Sequence, residues 1–212
     1  MKANYTHLIL ILDESGSMGV IWDSTIEGVN ELIRQQRAVP GDFTTALYKF
    51  SWTVKGLERT TFSELNKVNY VPTGGTALND AICKAIDDEG KYLASLKEDN
   101  RPDKVVVVVV TDGQENSSQL HSMEDVKTRV AQQESKYNWQ FVFLGANIDA
   151  FATGGSYGFA QSGTLQWNQT HQGTIRAYAC VTDTLTQYRA GAMNCMDVQA
   201  TAAKTEEQQP TA

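Results

Sequence analysis

Six consecutive valines, Val105 to Val110, constrain the fold of this chain more than any other stretch. The run is continuously apolar and has polar neighbours, which is the signature of a strand buried on both faces at the centre of a parallel sheet. It is far too short for the roughly 18 or more apolar residues of a membrane span. Leu8-Ile9-Leu10-Ile11-Leu12 repeats the pattern near the amino terminus. Each run ends in an acidic turn: Asp13-Glu14-Ser15-Gly16-Ser17-Met18 after the first, Thr111-Asp112-Gly113 after the second.

Helical and strand patterns alternate around these runs. Trp22, Ile26, Val29, Leu32 and Ile33 recur at helical spacing until Pro40-Gly41 ends the helix. Phe43 to Phe50 and Val54 to Phe62, joined by Ser51-Trp52, read as an antiparallel hairpin at one sheet edge. Leu78, Ala81, Ile82, Ala85, Ile86, Leu93 and Leu96 mark a second amphipathic helix; its polar face, with Asp87, Asp88, Glu89 and Lys91, is expected in solvent. Ser122 and Asp125 form a capping box for a helix reaching about Lys136, with Asp in place of the usual Glu or Gln. Trp139 to Leu144 and Thr164 to Trp167 read as further strands, and Thr170 to Arg189 as the final helix. From Gln199 the composition turns to Ala, Thr, Gln and Glu, which predicts one domain over residues 1–198 and a disordered tail over 199–212. The expected architecture is α/β: a doubly wound, Rossmann-like, mostly parallel sheet with an antiparallel edge strand and helices on both faces.

Composition removes several function classes. A chain of 212 residues with 41% hydrophobic content suits one large domain with a proper core. A formal net charge of −7 without a basic cluster argues against phosphate-neutralising nucleic-acid binding. Cys83, Cys180 and Cys195 have no C-x-x-C spacing, so neither a disulfide framework nor a zinc knot is indicated, and Cys83 reads as a small core residue. The five apolar residues Leu8 to Leu12 fall short of the roughly 7 to 15 of an export signal, so a cytoplasmic, soluble protein is expected.

The two acidic turns carry the chemistry. Ligands of doubly wound sheets bind beyond the carboxyl ends of the strands, and parallel strands would bring Asp13 and Asp112 to one rim. Two acids facing each other repel unless something positive lies between them, and a divalent ion is the simplest candidate. Ser15 and Ser17 add hydroxyl oxygens on a Gly-containing turn, and Thr73-Gly74-Gly75-Thr76, just before a helical pattern, can complete the set. Such an oxygen-only site suits a hard cation.

Asp13-x-Ser15-x-Ser17, Thr76 in a Gly-Gly-Thr loop and Asp112 in Thr-Asp-Gly resemble, in order and spacing, the metal-ion-dependent adhesion site (MIDAS) of the von Willebrand factor A domain family. The resemblance covers roughly residues 5 to 190, and Phe143-Leu144-Gly145-Ala146-Asn147 resembles a stretch of small single-domain bacterial and phage members. It implies that Ser15, Ser17 and Thr76 are direct ligands of Mg²⁺, for which Mn²⁺ can substitute, and that Asp13 and Asp112 act mainly through bound water. It also selects Thr76 over Thr73 and leaves one coordination position for a partner's acidic group. Glu14 and Glu115 depart from the pattern as extra acids, and solvent exposure is expected for both. His7, His121 and His171 lack metal-ligand spacing and are expected at the surface or in caps. Trp22, Trp52, Trp139 and Trp167 are expected in core or hairpin packing, with Trp22 close enough to the metal turn to line a partner surface.

The function implied is a non-enzymatic, metal-dependent protein-binding module that coordinates an Asp or Glu of its partner. A virion or assembly component and a separate AAA+ ATPase are candidate partners, acting in the cytoplasm, that of the host cell if the protein is phage-encoded. No nucleic acid and no membrane is expected among its partners. The alternative is a metal-dependent hydrolase or phosphatase using Asp13 or a metal-bound water. Aspartyl phosphatases place a second carboxylate two residues after the first, where this chain has Ser15; no G-x-S-x-G elbow or Walker-type G-x-x-x-x-G-K occurs. No catalytic residue is therefore assigned.

Overall fold

The two apolar runs lie side by side. In the computed structural model, which describes residues 1–59 and 64–207, β1 (Lys2–Asp13) and β4 (Pro102–Thr111) pair in parallel, with Leu8 opposite Val106 and Leu12 opposite Val110. β2 (Asp42–Phe50) pairs in parallel with the other side of β1, and β3 (Val54–Arg59) runs antiparallel along β2 at the sheet edge. Beyond β4 come β5 (Gln140–Ala146) and β6 (Thr164–Trp167), both parallel, giving the order β3-β2-β1-β4-β5-β6. The hairpin is thus where the sequence predicts it, although residues 60–62 of its expected second strand lie outside the described residues.

Successive side chains of a strand point to opposite faces, so each apolar run feeds two cores. Leu8, Leu10, Leu12, Val106, Val108 and Val110 meet Val29, Leu32 and Ile33 of α1 (Trp22–Ala38) and Val181 and Leu185 of α5 (His171–Arg189). Ile9, Ile11, Val107 and Val109 meet Ile82 and Ile86 of α2 (Leu78–Ser95) and Val126 and Val130 of α3 (Met123–Tyr137). Full burial of such a side chain stabilises by roughly 1.5–3 kcal/mol, and both helical layers are held this way. A short α4 (Ala150–Ser156), which no sequence pattern announced, packs Ala150 into the second core. The capping box at Ser122 forms as expected: its hydroxyl accepts from the Asp125 amide, and the Asp125 carboxylate accepts from the Ser122 amide at 2.8 Å.

The chain leaves β1 toward β2 on one side and returns to β4 on the other, so the strand order reverses between β1 and β4. That topological switch point opens a crevice at their carboxyl ends, where Asp13 and Asp112 sit.

Three expectations need correction. Glu89 is not solvated; it is fully buried, accepting from the Tyr48 hydroxyl at 2.7 Å and meeting His7 Nε2 at 3.0 Å. His7 is likewise buried, with its Nδ1 2.8 Å from the Thr44 hydroxyl. The cause is its place on the helix: Ile82, Ile86, Glu89 and Leu93 recur three or four residues apart, so Glu89 falls in the apolar stripe that faces the sheet, where only polar partners make its burial tolerable. Residues 199–207, expected to be disordered, belong to α6 (Val198–Glu207). There, the buried Val198 and Thr201 pack on α5, the Thr201 hydroxyl lies 2.9 Å from that of Thr184, and Asp197 caps the Ala200 amide at 2.9 Å. Residues 208–212 lie outside the described residues.

Candidate metal centre

The turn after β1 is shaped by its own polar side chains. The Ser15 amide donates to Asp13 Oδ1 at 2.7 Å, and the Thr111 hydroxyl, from the end of β4, donates to Asp13 Oδ2 at 2.6 Å. Both oxygens of the fully buried Asp13 are thereby held. Ser17, one turn further on and exposed, donates its hydroxyl to Asp112 Oδ1 at 2.6 Å, and its oxygen lies 3.2 Å from Ser15 Oγ.

The third segment is docked by its backbone. Gly16 N–H donates to the Gly74 carbonyl at 3.2 Å, and Thr73 N–H to the Glu14 carbonyl at 2.8 Å, so Thr73 serves the turn. Gly74 has φ +85°, a conformation that glycine adopts without steric penalty. Thr76 is buried just before α2, its backbone bracketed by Asn116. A Cβ placed on Gly113 would lie 3.2 Å from Thr76 Oγ1 and 3.8 Å from Ser17 Oγ, so both hydroxyls approach one small space above the Gly113 backbone. Asp13, Ser15, Ser17, Thr76 and Asp112, drawn from three segments nearly a hundred residues apart, are thus brought together.

The electrostatics show what this space lacks. Burial pushes the Asp13 carboxyl up to about 6, against the opposing hydrogen bonds from Thr111 and Ser15, and the neighbouring charge of Asp112 pushes the same way. Burial also raises Asp112, opposed by its bonds to Ser17 and Gln169. Among the described residues neither carboxylate has a Lys, Arg or His partner. Two buried acids beside three neutral hydroxyls form an all-oxygen set with unmet negative charge, which fits a hard divalent cation and does not fit a soft one.

Other rim residues differ from expectation. Glu14 is buried, its carboxylate accepting from the Val71 amide at 2.9 Å and pairing with Lys55 at 3.1 Å, so its charge is answered away from the metal space. Glu115 is half-buried and accepts from the amides of Asn79, Ser117 and Ser118, the first of these in the opening turn of α2. Neither is the solvated acid predicted; each organises a loop. Trp52, expected in core or hairpin packing, sits in the link of the β2–β3 hairpin and is 65% exposed; a Cβ on Gly74 would come within 2.5 Å of its indole, so the ring covers the Gly-Gly loop. Trp22 is half-buried and donates its indole N–H to the Tyr70 carbonyl at 2.7 Å, whereas Trp139 and Trp167 are buried as expected.

Gln169, absent from the expected set, also reaches the site. Its side-chain amide donates to Asp112 Oδ2 and, at 3.1 Å, to the Ser17 carbonyl. No motif marks it, because Asn168-Gln169-Thr170 reads only as the approach to a helix cap.

The family described as von Willebrand factor type A domain matches residues 7–154. Among solved structures, proximal thread matrix protein 1 from the mussel byssus superposes with a TM-score of 0.64 at 13% identity, covering 86% of this chain and 48% of that one. A second structure of that mussel protein is described with a zinc-occupied MIDAS motif and has a TM-score of 0.61 at 12% identity, covering 86% and 48% of the two chains. Manganese-loaded TRAP protein from Plasmodium vivax gives 0.55 at 18% identity over 82% of this chain and 72% of that one. The chain spans about half the length of the mussel protein it matches. No curated protein sequence is significantly similar. The matched profile and the superposed folds converge on one conclusion: the chain belongs to the von Willebrand factor type A domain family.

Proposed function

We propose that this domain is a metal-dependent protein-binding module without catalytic activity, in which Asp13, Ser15, Ser17, Thr76 and Asp112 hold Mg²⁺, exchangeable for Mn²⁺, and a partner's Asp or Glu completes the coordination. The observation that carries this reading is the pair of buried carboxylates, without a cationic partner among the described residues, beside three neutral hydroxyls at one rim. When bound, the ion supplies a hard positive charge that neutral hydroxyl ligands leave under-neutralised, and that attracts an external carboxylate. The chain's own residues do the rest. Thr111 and the Ser15 amide keep Asp13 deep in the crevice, while exposed Ser17 marks the open side from which a partner approaches. Partners of the kinds named above, an assembly component or a separate AAA+ ATPase, would present that acidic side chain from a complementary surface.

The test is direct titration of metal-free protein with Mn²⁺, read by its effect on water proton relaxation, with Mg²⁺ as competitor. Saturable Mn²⁺ binding that Mg²⁺ displaces is expected, with an anomalous peak among Ser15, Ser17 and Thr76 in Mn²⁺-soaked crystals. A well-formed crevice that stays empty at millimolar Mn²⁺ would refute the assignment.

A further inference from the structure

We propose that Gln169 is a positioning residue of this centre, fixing the Asp112 carboxylate and itself locked by Asn147; the proposal rests on the metal reading above. Gln169 lies between β6 and α5, immediately before Thr170, whose hydroxyl caps α5 by accepting from the Gly173 amide at 3.0 Å. Its Nε2 faces two groups that can only accept, the Asp112 carboxylate and the Ser17 carbonyl, so the amide orientation follows from chemistry. Both hydrogens of the NH₂ group are used.

Asn147 closes the other end. Its Nδ2 donates to Gln169 Oε1 at 2.8 Å, and its Oδ1 accepts from the Gln169 backbone amide at 3.2 Å. Asn147 is in turn pinned at the end of β5, where its own N–H donates to the Trp167 carbonyl at 3.2 Å and its φ is +51°. A left-handed backbone is one that Asn adopts more readily than most residues, so the clasp is built on a position suited to it.

The consequence is that Asp112 has no free rotation. Oδ1 is held by the Ser17 hydroxyl and Oδ2 by Gln169, so the carboxylate plane is set before any ion arrives. Because the amide is neutral, it orients the acid without cancelling its charge. A Lys at the same place would donate equally well but would neutralise Asp112 and compete with the cation. The centre therefore draws on a fourth segment, and one that leads straight into α5.

Outer partners that orient a ligand typically change metal affinity 10–100-fold. Gln169→Ala and Asn147→Gly are each expected to weaken Mn²⁺ binding by about that range, with thermal unfolding of the metal-free protein unchanged and the double variant no weaker than Gln169→Ala alone. Glycine at 147 removes the side chain while keeping the left-handed backbone accessible. Gln169→Glu, which keeps the shape and loses the donors, should not restore affinity, and Gln169→Lys should lose it furthest. A readout independent of metal is solvent exchange of the Gln169 side-chain NH₂ protons, followed by NMR of the metal-free protein: both are expected to be protected in the wild type and to exchange as freely as those of an exposed Gln in Asn147→Gly. Mn²⁺ affinity of Gln169→Ala within twofold of the wild type would overturn the positioning role, as would an unprotected Gln169 side-chain amide in a wild type that binds Mn²⁺. A wild type that binds no Mn²⁺ yet shows the ordered amide would overturn the metal reading and leave the clasp as structure only.

Discussion

Replacing Glu89 by Ala tests how the second helical layer is fastened to the sheet. Glu89 is wholly buried, accepting from Tyr48 Oη at 2.7 Å and lying 3.0 Å from His7 Nε2, and His7 continues to Thr44 Oγ1 at 2.8 Å. Truncation removes the acceptor shared by two buried polar groups on β2 and β1. Each buried donor left without an acceptor costs about 1–3 kcal/mol, so orphaning two of them should cost about 2–6 kcal/mol. For a domain of this size that corresponds to roughly 2–4 °C per kcal/mol in Tm. Glu89→Gln keeps the shape and an acceptor for Tyr48, and should cost no more than about half as much. Tyr48→Phe should cost about 1.5–3 kcal/mol, and combined with Glu89→Ala it should add little, because the two changes break the same bond. The assay is urea unfolding followed by circular dichroism, with the m-value compared across variants so that a change in the unfolded state is not mistaken for a change in stability. A loss below about 1 kcal/mol for Glu89→Ala at unchanged m would refute the idea that this network holds α2 on the sheet.

Thr76→Ala and Ser17→Ala should each abolish Mn²⁺ binding and capture of an acidic partner while leaving Tm unchanged, since they delete oxygens at the rim and little core volume; EDTA should mimic both, and binding by the Thr76 variant in EDTA would place the partner elsewhere. Ca²⁺ should support capture less well than Mg²⁺, because it prefers six to eight oxygens at longer range, and equal support by the two ions would contradict a small octahedral site. Burial pushes the Cys83 thiol up to about 12 and Cys180 up to about 11, so both stay protonated at pH 8. Iodoacetamide at that pH should label exposed Cys195 alone in the native protein and the other two only after unfolding, as read by peptide mass spectrometry; native labelling of Cys83 would mean that its face of α2 is open. Ser122→Ala removes a capping box at α3 and should cost about 1 kcal/mol in the same urea assay, whereas no measurable change would mean that water replaces the cap.

The fold was legible because its determinants are local and periodic. Leu8 to Leu12 and Val105 to Val110 are continuous apolar runs with acidic ends, and such runs suit only strands covered on both faces. The candidate metal residues were legible for a related reason: they sit at fixed offsets in turns that directly follow those strands or precede a helix, so order and spacing carry the information. What spacing could not carry was anything decided across the sheet. Glu89 looked like one of several charges on a helix, and only the placing of His7 on β1 and Tyr48 on β2 against that face of α2 gives it buried polar partners. Glu14 and Glu115 looked like loose acids until Lys55 and the first turn of α2 came within reach of them. Residues 199–207 have the composition of a tail, yet a strip of Val198, Thr201 and Ala202 suffices for a helix once α5 offers a surface to cover it. Gln169 is 57 residues from Asp112 in the chain, and nothing in its neighbourhood marks it. Apolar runs and turn chemistry act over a few residues, so the central strands and the oxygens at their ends could be read from the chain alone. Which buried acids find partners and which side chains hold the site in place depends on where distant helices and loops come to rest, and no short stretch of sequence records that.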